Sequence, residues 1–145
     1  MRYFCIDYGT VRTGLAATDE GGRMAFPRTT LTLKAAGTRK AMLDRLAAMI
    51  AEEKAGAVVV GLPLHRDGAE SMTTRQVRNF TERLKHRTDV PVYYMPEFLS
   101  SEEAAADLAE SGLGKERFRE VLDQQAAVRI LESFLNIDEK DRMRA

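Results

Sequence analysis

The chain has 145 residues, 44% of them apolar and 30% charged, with 22 basic side chains against 22 acidic ones. That is one ordinary domain with a core of its own, which excludes disordered and fibrous classes, and the zero net charge argues against a general polyanion binder. Cys5 is the sole cysteine, so no intramolecular disulfide forms, as expected of a reducing compartment.

The N-terminus lacks the pattern of a secretory signal, and no run approaches the ~18 apolar residues of a membrane helix, so a cytoplasmic location with no membrane partner is expected. Charge is nonetheless uneven. Residues 1–96 carry 15 basic and 10 acidic side chains, and residues 97–145 carry 7 and 12. A face for phosphates beside an end for a cation is compatible with that split.

In chain order, "RYFCID" alternates, putting Tyr3, Cys5 and Asp7 on one face of a strand and Phe4 and Ile6 on the other. "GLAATD" follows the Gly9 turn as a second strand, and "GG" at 21 and 22 leads into a third, "RMAFPRTTLTL". Three strands with short glycine turns make an antiparallel meander, and Pro27 marks the third as an edge or as broken there. In "RKAMLDRLAAMIAEEKAG" the period becomes helical through Met42, Leu43, Leu46, Ala47 and Ile50, with Gly56 as the stop. "AVVVG" is a strand buried on both faces, and "GLPLHRDGAES" reads as a loop. A helix from Met72 to His86 turns Val77, Phe80 and Leu84 inward, and "VPVYYM" is the next strand. "LSSEEAAADLAESG" reads as a helix with Ser100 as N-cap, Glu103 three residues on and Gly112 as the stop. A last helix spans about Arg119 to Leu135, leaving 138–145 as a charged tail behind one domain over 1–137. The whole is an α/β sheet flanked by helices, a meander joined to two parallel strands.

Three carboxylates stand where chemistry gathers. Asp7 ends the first strand, and Glu97 follows "VPVYYM" by two residues, so both approach strand carboxyl ends, where ligands bind in such sheets. Asp123 precedes Ala127, Ile130 and Phe134 by 4, 7 and 11 residues on one helical stripe, so it points toward the packed side. A charge there is costly unless paired or metal-bound. Three carboxylates without a cysteine or histidine cluster suit Mg²⁺ or Mn²⁺, and a pair of such ions is the usual device of phosphodiester cleavage. Each acid also has a plainer reading: Asp7 as acceptor for turn amides, Glu97 as partner of an arginine, Asp123 as a charge near a helix N-terminus.

"DYGTVRTGLA", "VVVGLPLHRDGAES", "PEFLSSEEA" and "LDQQAAVRILESFL" together resemble the YqgF/RuvX family of Holliday junction resolvases, from residue 3 to about 135. The resemblance implies a ribonuclease H-like fold and a metal-dependent nuclease acting on structured nucleic acid. It favours processing of the 5′ end of pre-16S rRNA, or else the resolution of branched DNA. It assigns metal binding and catalysis to Asp7, Glu97 and Asp123, with Mg²⁺ or Mn²⁺ held as two ions. Against the family pattern, Val11 replaces one of a basic pair so that Arg12 remains, His65 and Arg66 follow "GLPL", and Pro96 and Phe98 flank Glu97 where Asp and Arg are usual.

Arg12, Arg66, Arg75 and Arg78 are the expected phosphate contacts, since guanidinium presents a planar fork to phosphate oxygens. His65 is a possible proton carrier or a polar loop residue, and Phe98, Tyr93 and Tyr94 are candidates for base stacking or core. Gly9, Gly14, Gly61 and Gly68 read as turns and close approaches. The oligomer is expected to be a monomer or homodimer. Two other readings compete. One is a nucleic-acid-binding or ribosome-assembly protein whose catalytic site has decayed at Pro96 and Phe98. The other is an ATPase of the sugar-kinase and actin type, suggested by "DYGTVRTG" but lacking the length for a second lobe.

Overall fold

The computed structural model describes residues 1–98 and 115–145. The helix expected over Leu99–Gly112, with its Ser100 cap, lies outside the described residues. The first three strands are β1 (Tyr3–Asp7), β2 (Arg12–Thr18) and β3 (Ala25–Thr32). A short helix α1 (Leu33–Ala36) and α2 (Arg39–Glu52) lead to β4 (Ala57–Leu64), α3 (Met72–Lys85) and β5 (Val92–Phe98). Helix α4 (Lys115–Leu135), a 3-10 turn over Glu139–Asp141 and β6 (Met143–Arg144) complete the described chain.

The sheet runs β3-β2-β1-β4-β5-β6. β1, β2 and β3 pair antiparallel, whereas β1–β4 and β4–β5 are parallel, as the meander and the two crossovers require. Pro27 does fall on an edge strand, where its missing N–H costs no ladder bond in a central strand. The register there slips: Leu15 pairs with Thr29 and Ala16 with Pro27, which leaves Arg28 as the extra residue of a bulge.

Alternation sorts the core into two layers. Phe4, Ile6, Val58, Val60, Val92 and Tyr94 face α2 and α3, meeting Met42, Leu43, Leu46, Ile50, Val77, Phe80 and Leu84. Tyr3, Cys5, Ala16 and Val59 face the other way and pack on Ala127, Ile130, Leu131 and Phe134 of α4. These α4 residues recur at three- and four-residue spacing, the stripe of a helix lying on a sheet. Helix α3 opens with a reciprocal cap: Ser71 Oγ accepts from Thr74 N, and Thr74 Oγ1 accepts from Ser71 N.

Four expectations need correction. "GLPL" continues β4 instead of opening a loop, because β5 extends alongside: Leu62 pairs with Pro96, Pro63 with Glu97 and Leu64 with Phe98. β5 accordingly runs on to Phe98, and Glu97 sits within the strand rather than two residues past its end. Helix α4 begins at Lys115, four residues earlier than expected. Finally, the tail at 138–145 adds a sixth strand, Tyr93 pairing with Arg144 and Tyr94 with Met143. Arg142 anchors it by donating to the Tyr3 hydroxyl at 3.0 Å, with its guanidinium 4.5 Å from the Phe134 ring centroid.

Candidate active site

Because β1, β4 and β5 are parallel, their carboxyl ends share one margin of the sheet. Strand parity continues Cys5 to Asp7 and Tyr93 to Glu97, so both acids project on the α4 face. The Cys5 thiol reports this: burial first, then the charges of Asp7 and Glu97, push it well above its ordinary value. A thiol so disposed is a small core residue, not a nucleophile.

Two glycines make room for the acids. Asp7 pairs with Gly14 on β2, and a Cβ on Gly14 would strike the backbone carbonyl of Asp123 and come within 3.0 Å of the Asp123 Cβ. Only a bare backbone lets α4 descend this far, and the descent brings Asp123 over Asp7. On the other flank, β4 offers Gly61 beside the end of β1. A Cβ there would lie 2.8 Å from Ile130 Cδ1 and 3.2 Å from Glu97 Oε2. The Glu97 carboxylate therefore leans across β4 toward β1, over the space that Gly61 leaves.

Asp7 and Asp123 line a cleft of about 300 Å³ together with Tyr8, Gly9, Thr10, Val11 and Arg12. Asp7 is only partly exposed, and its carboxyl is pushed up to about 7 by burial first and by the neighbouring charge of Asp123 second. Arg12 Nε donates to Asp123 Oδ2 at 2.8 Å, so the arginine expected to meet phosphate also neutralises one of the acids. Asp123, whose plainer reading was a charge near a helix N-terminus, stands instead two turns into α4 and pairs with Arg12.

The three acids share a face without closing into one cluster. Among the described residues, no group of three or more His, Cys, Asp and Glu side chains stands close enough to hold a metal ion. The chemistry of the close pair suits a hard cation all the same. Both donors are carboxylate oxygens, burial and then the charge of Asp123 raise Asp7, and Mg²⁺ commonly takes one or two carboxylates and keeps the rest of its shell as water.

The other expected contacts disperse. Arg66 is exposed in the turn after β4, where His65 N–H donates to Ala69 O at 3.0 Å and Gly68 takes φ +86°. Arg75 and Arg78 ride on α3, across the sheet from the carboxylates. Arg78 is already engaged, its Nε 2.5 Å from Glu70 Oε1 and its guanidinium 5.3 Å from the Tyr94 ring centroid. Tyr94 is core on the α3 face and Tyr93 packs on Phe134, whereas Phe98 stands 57% exposed one residue past Glu97. The Arg12–Asp123 pair was not legible in the sequence, because its partners are 111 residues apart.

Comparison with known proteins now bears on this arrangement. A family model described as RuvX, Holliday junction resolvase, matches residues 1–137. A protein of Nitratidesulfovibrio vulgaris (strain DSM 19637 / Miyazaki F) named "Putative pre-16S rRNA nuclease" is 58% identical over 142 residues, 98% of each chain. Its namesake from Oleidesulfovibrio alaskensis is 53% identical over 99% of this chain and 97% of its own. Among solved structures, Thermus thermophilus RuvC in complex with a Holliday junction substrate superposes over 100% of this chain and 99% of its own, with TM-score 0.57 and 15% identity. That likeness shows the fold, the ribonuclease H-like sheet expected above. Among the described residues no helix is long and apolar enough to cross a membrane. On the family match and the 58% relative, this chain belongs to the RuvX family of Holliday junction resolvases, a nuclease family.

Proposed function

We propose that this chain hydrolyses phosphodiester bonds in structured RNA, maturing the 5′ end of pre-16S rRNA, with Mg²⁺ or Mn²⁺ held as two ions by Asp7, Glu97 and Asp123. The observation that carries the reading is the Asp7–Asp123 pair, in which burial and like charge hold the Asp7 carboxyl near 7 in the metal-free protein. Keeping two acids in one cleft costs stability, and because Arg12 compensates Asp123, it is the Asp7 carboxylate that calls for a further cation.

When bound, such ions supply Lewis acidity toward the phosphate and toward the attacking water. The chain's own residues do the rest. Asp7 would hold such an ion through its carboxylate oxygens at the end of β1. Asp123 is steered by Arg12, whose fork has further donors to offer a phosphate oxygen. Glu97 reaches over Gly61 from the next-but-one strand and holds the opposite side of the same margin. Phe98 stands exposed beside it as a platform for an unpaired base. None of these groups reads sequence, so substrate shape decides specificity.

The two relatives' names favour RNA over branched DNA, and a direct competition tests that choice. Cleavage of a labelled precursor fragment spanning the 5′ end of 16S rRNA is followed with an unlabelled four-way DNA junction as competitor. The proposal expects kcat/KM for the RNA to exceed that for the junction at least tenfold. Equal or preferred cutting of the junction would assign the chain to branched DNA instead.

A further inference from the structure

We infer that a second cleft, on the far side of the β1–β2 turn from the carboxylates, binds one unpaired base of the substrate strand with an adjoining phosphate; this rests on the nuclease reading above. The cleft has a volume of about 120 Å³ and is bounded by Tyr8, Arg39, Gln76, Asn79, Phe80 and Arg83. That is room for a single planar ring, well short of the ~300 Å³ at which sites for larger ligands begin.

Its lining matches a nucleotide group by group. Arg39 comes from the first turn of α2 and Arg83 from the last turn of α3, and neither forms an ion pair among the described residues. No acidic residue lines the cleft, so its charge is uniformly positive and suits a phosphate. Gln76 and Asn79, both exposed on α3, are primary amides that donate and accept at once, which is what the edge of a base requires. Tyr8 is half-buried and stacks on Phe80, ring centroids 4.2 Å apart at 17°, a flat aromatic pair of the sort on which bases stack.

The position matters as much as the lining. Asp7 and Tyr8 are consecutive and side chains alternate along a strand, so one turns to the α4 face and the other to the α2–α3 face. Tyr8, Gly9 and Thr10 line both clefts. A strand engaged at Asp7 and Asp123 reaches the second cleft by crossing that one turn. A free mononucleotide offers the same chemistry, and the test separates the two.

Fluorescence anisotropy of a short labelled single-stranded RNA, without divalent cations so that no cleavage intervenes, reads the site directly. The intact oligomer is compared with versions carrying one abasic sugar at successive positions. One abasic position should weaken wild-type binding about tenfold, the scale of losing a stacked base. Gln76→Ala/Asn79→Ala, whose substitutions are both on the exposed surface of α3, should bind every version alike. Arg83→Ala should weaken all versions equally and reduce the salt slope by about 1. The inference is overturned if no abasic position matters to wild type, or if the abasic penalty survives in Gln76→Ala/Asn79→Ala. It is equally overturned if AMP binds in the cleft and the oligomers do not compete with it. Cleavage of the precursor fragment is scored separately: wild type that discriminates abasic positions yet cuts nothing sinks the nuclease reading and leaves the cleft standing.

Discussion

Replacing Asp7 by asparagine should make the metal-free protein more stable while removing its activity. The folded protein holds this carboxyl at about 7 against an ordinary 3.8. Folding therefore favours the protonated form. The sign follows from proton counting: between about pH 4 and 7 the folded state binds the proton that the unfolded state has released, so stability falls as pH rises through that window. Each pH unit is worth about 1.4 kcal/mol, so the full window sets an upper limit of about 4 kcal/mol by about pH 8. Partial exposure of Asp7 and the cost of burying an amide reduce the gain from Asp7→Asn to about 1–3 kcal/mol. For a domain of this size that raises Tm by roughly 3–10 °C. The assay is thermal unfolding in EDTA at about pH 5 and about pH 8, then with Mn²⁺ added. Asp7→Asn should melt higher than wild type at pH 8, with the gap narrowing at pH 5, and Mn²⁺ should stabilise wild type alone. An Asp7→Asn protein that melts lower at pH 8, or that gains as much from Mn²⁺, would refute the argument from buried like charge.

Three further outcomes follow from the packing. Gly14→Ala forces a methyl against the Asp123 backbone and should cost about 1–3 kcal/mol in a denaturant melt, since a helix backbone cannot step aside as a side-chain tip can. Arg12→Ala should weaken RNA binding and lower the salt slope by about 1, while Arg75→Ala, across the sheet, should change binding little in the same assay. Arg142→Ala frees β6 from Tyr3 and Phe134, and limited proteolysis should then remove the last residues faster than in wild type.

Periodicity carried most of the architecture: the alternation in "RYFCID" and the α4 stripe of Ala127, Ile130 and Phe134 told which faces pack. It misjudged "GLPL" because Pro63 and Gly61 are poor strand residues in isolation, and only pairing with Leu62–Leu64's neighbours on β5 holds them extended. A two-residue strand such as β6 has too few residues to show any period, so the final segment read as a tail. Within the site, Asp7 was placed by counting to the end of the first strand, whereas the same count put Glu97 two residues past a strand that contains it. The roles of Gly14 and Gly61 were visible only as close approaches, since what approaches them comes from Asp123, Ile130 and Glu97 far along the chain. Arg12 was expected at phosphate, and nothing local reveals that it first meets Asp123.

The central claim is that the carboxylates of Asp7, Glu97 and Asp123 work together in metal-dependent cleavage. The most direct test is cleavage of the pre-16S rRNA fragment with Mg²⁺ or Mn²⁺ by wild type, Asp7→Asn, Glu97→Gln and Asp123→Asn, each first shown to be folded by its melt. Wild type should cut only with the cation present, and each variant should lose at least a hundredfold in rate. A variant that cuts at the wild-type rate would remove its residue from the site, and wild type that cuts equally well in EDTA would contradict the account.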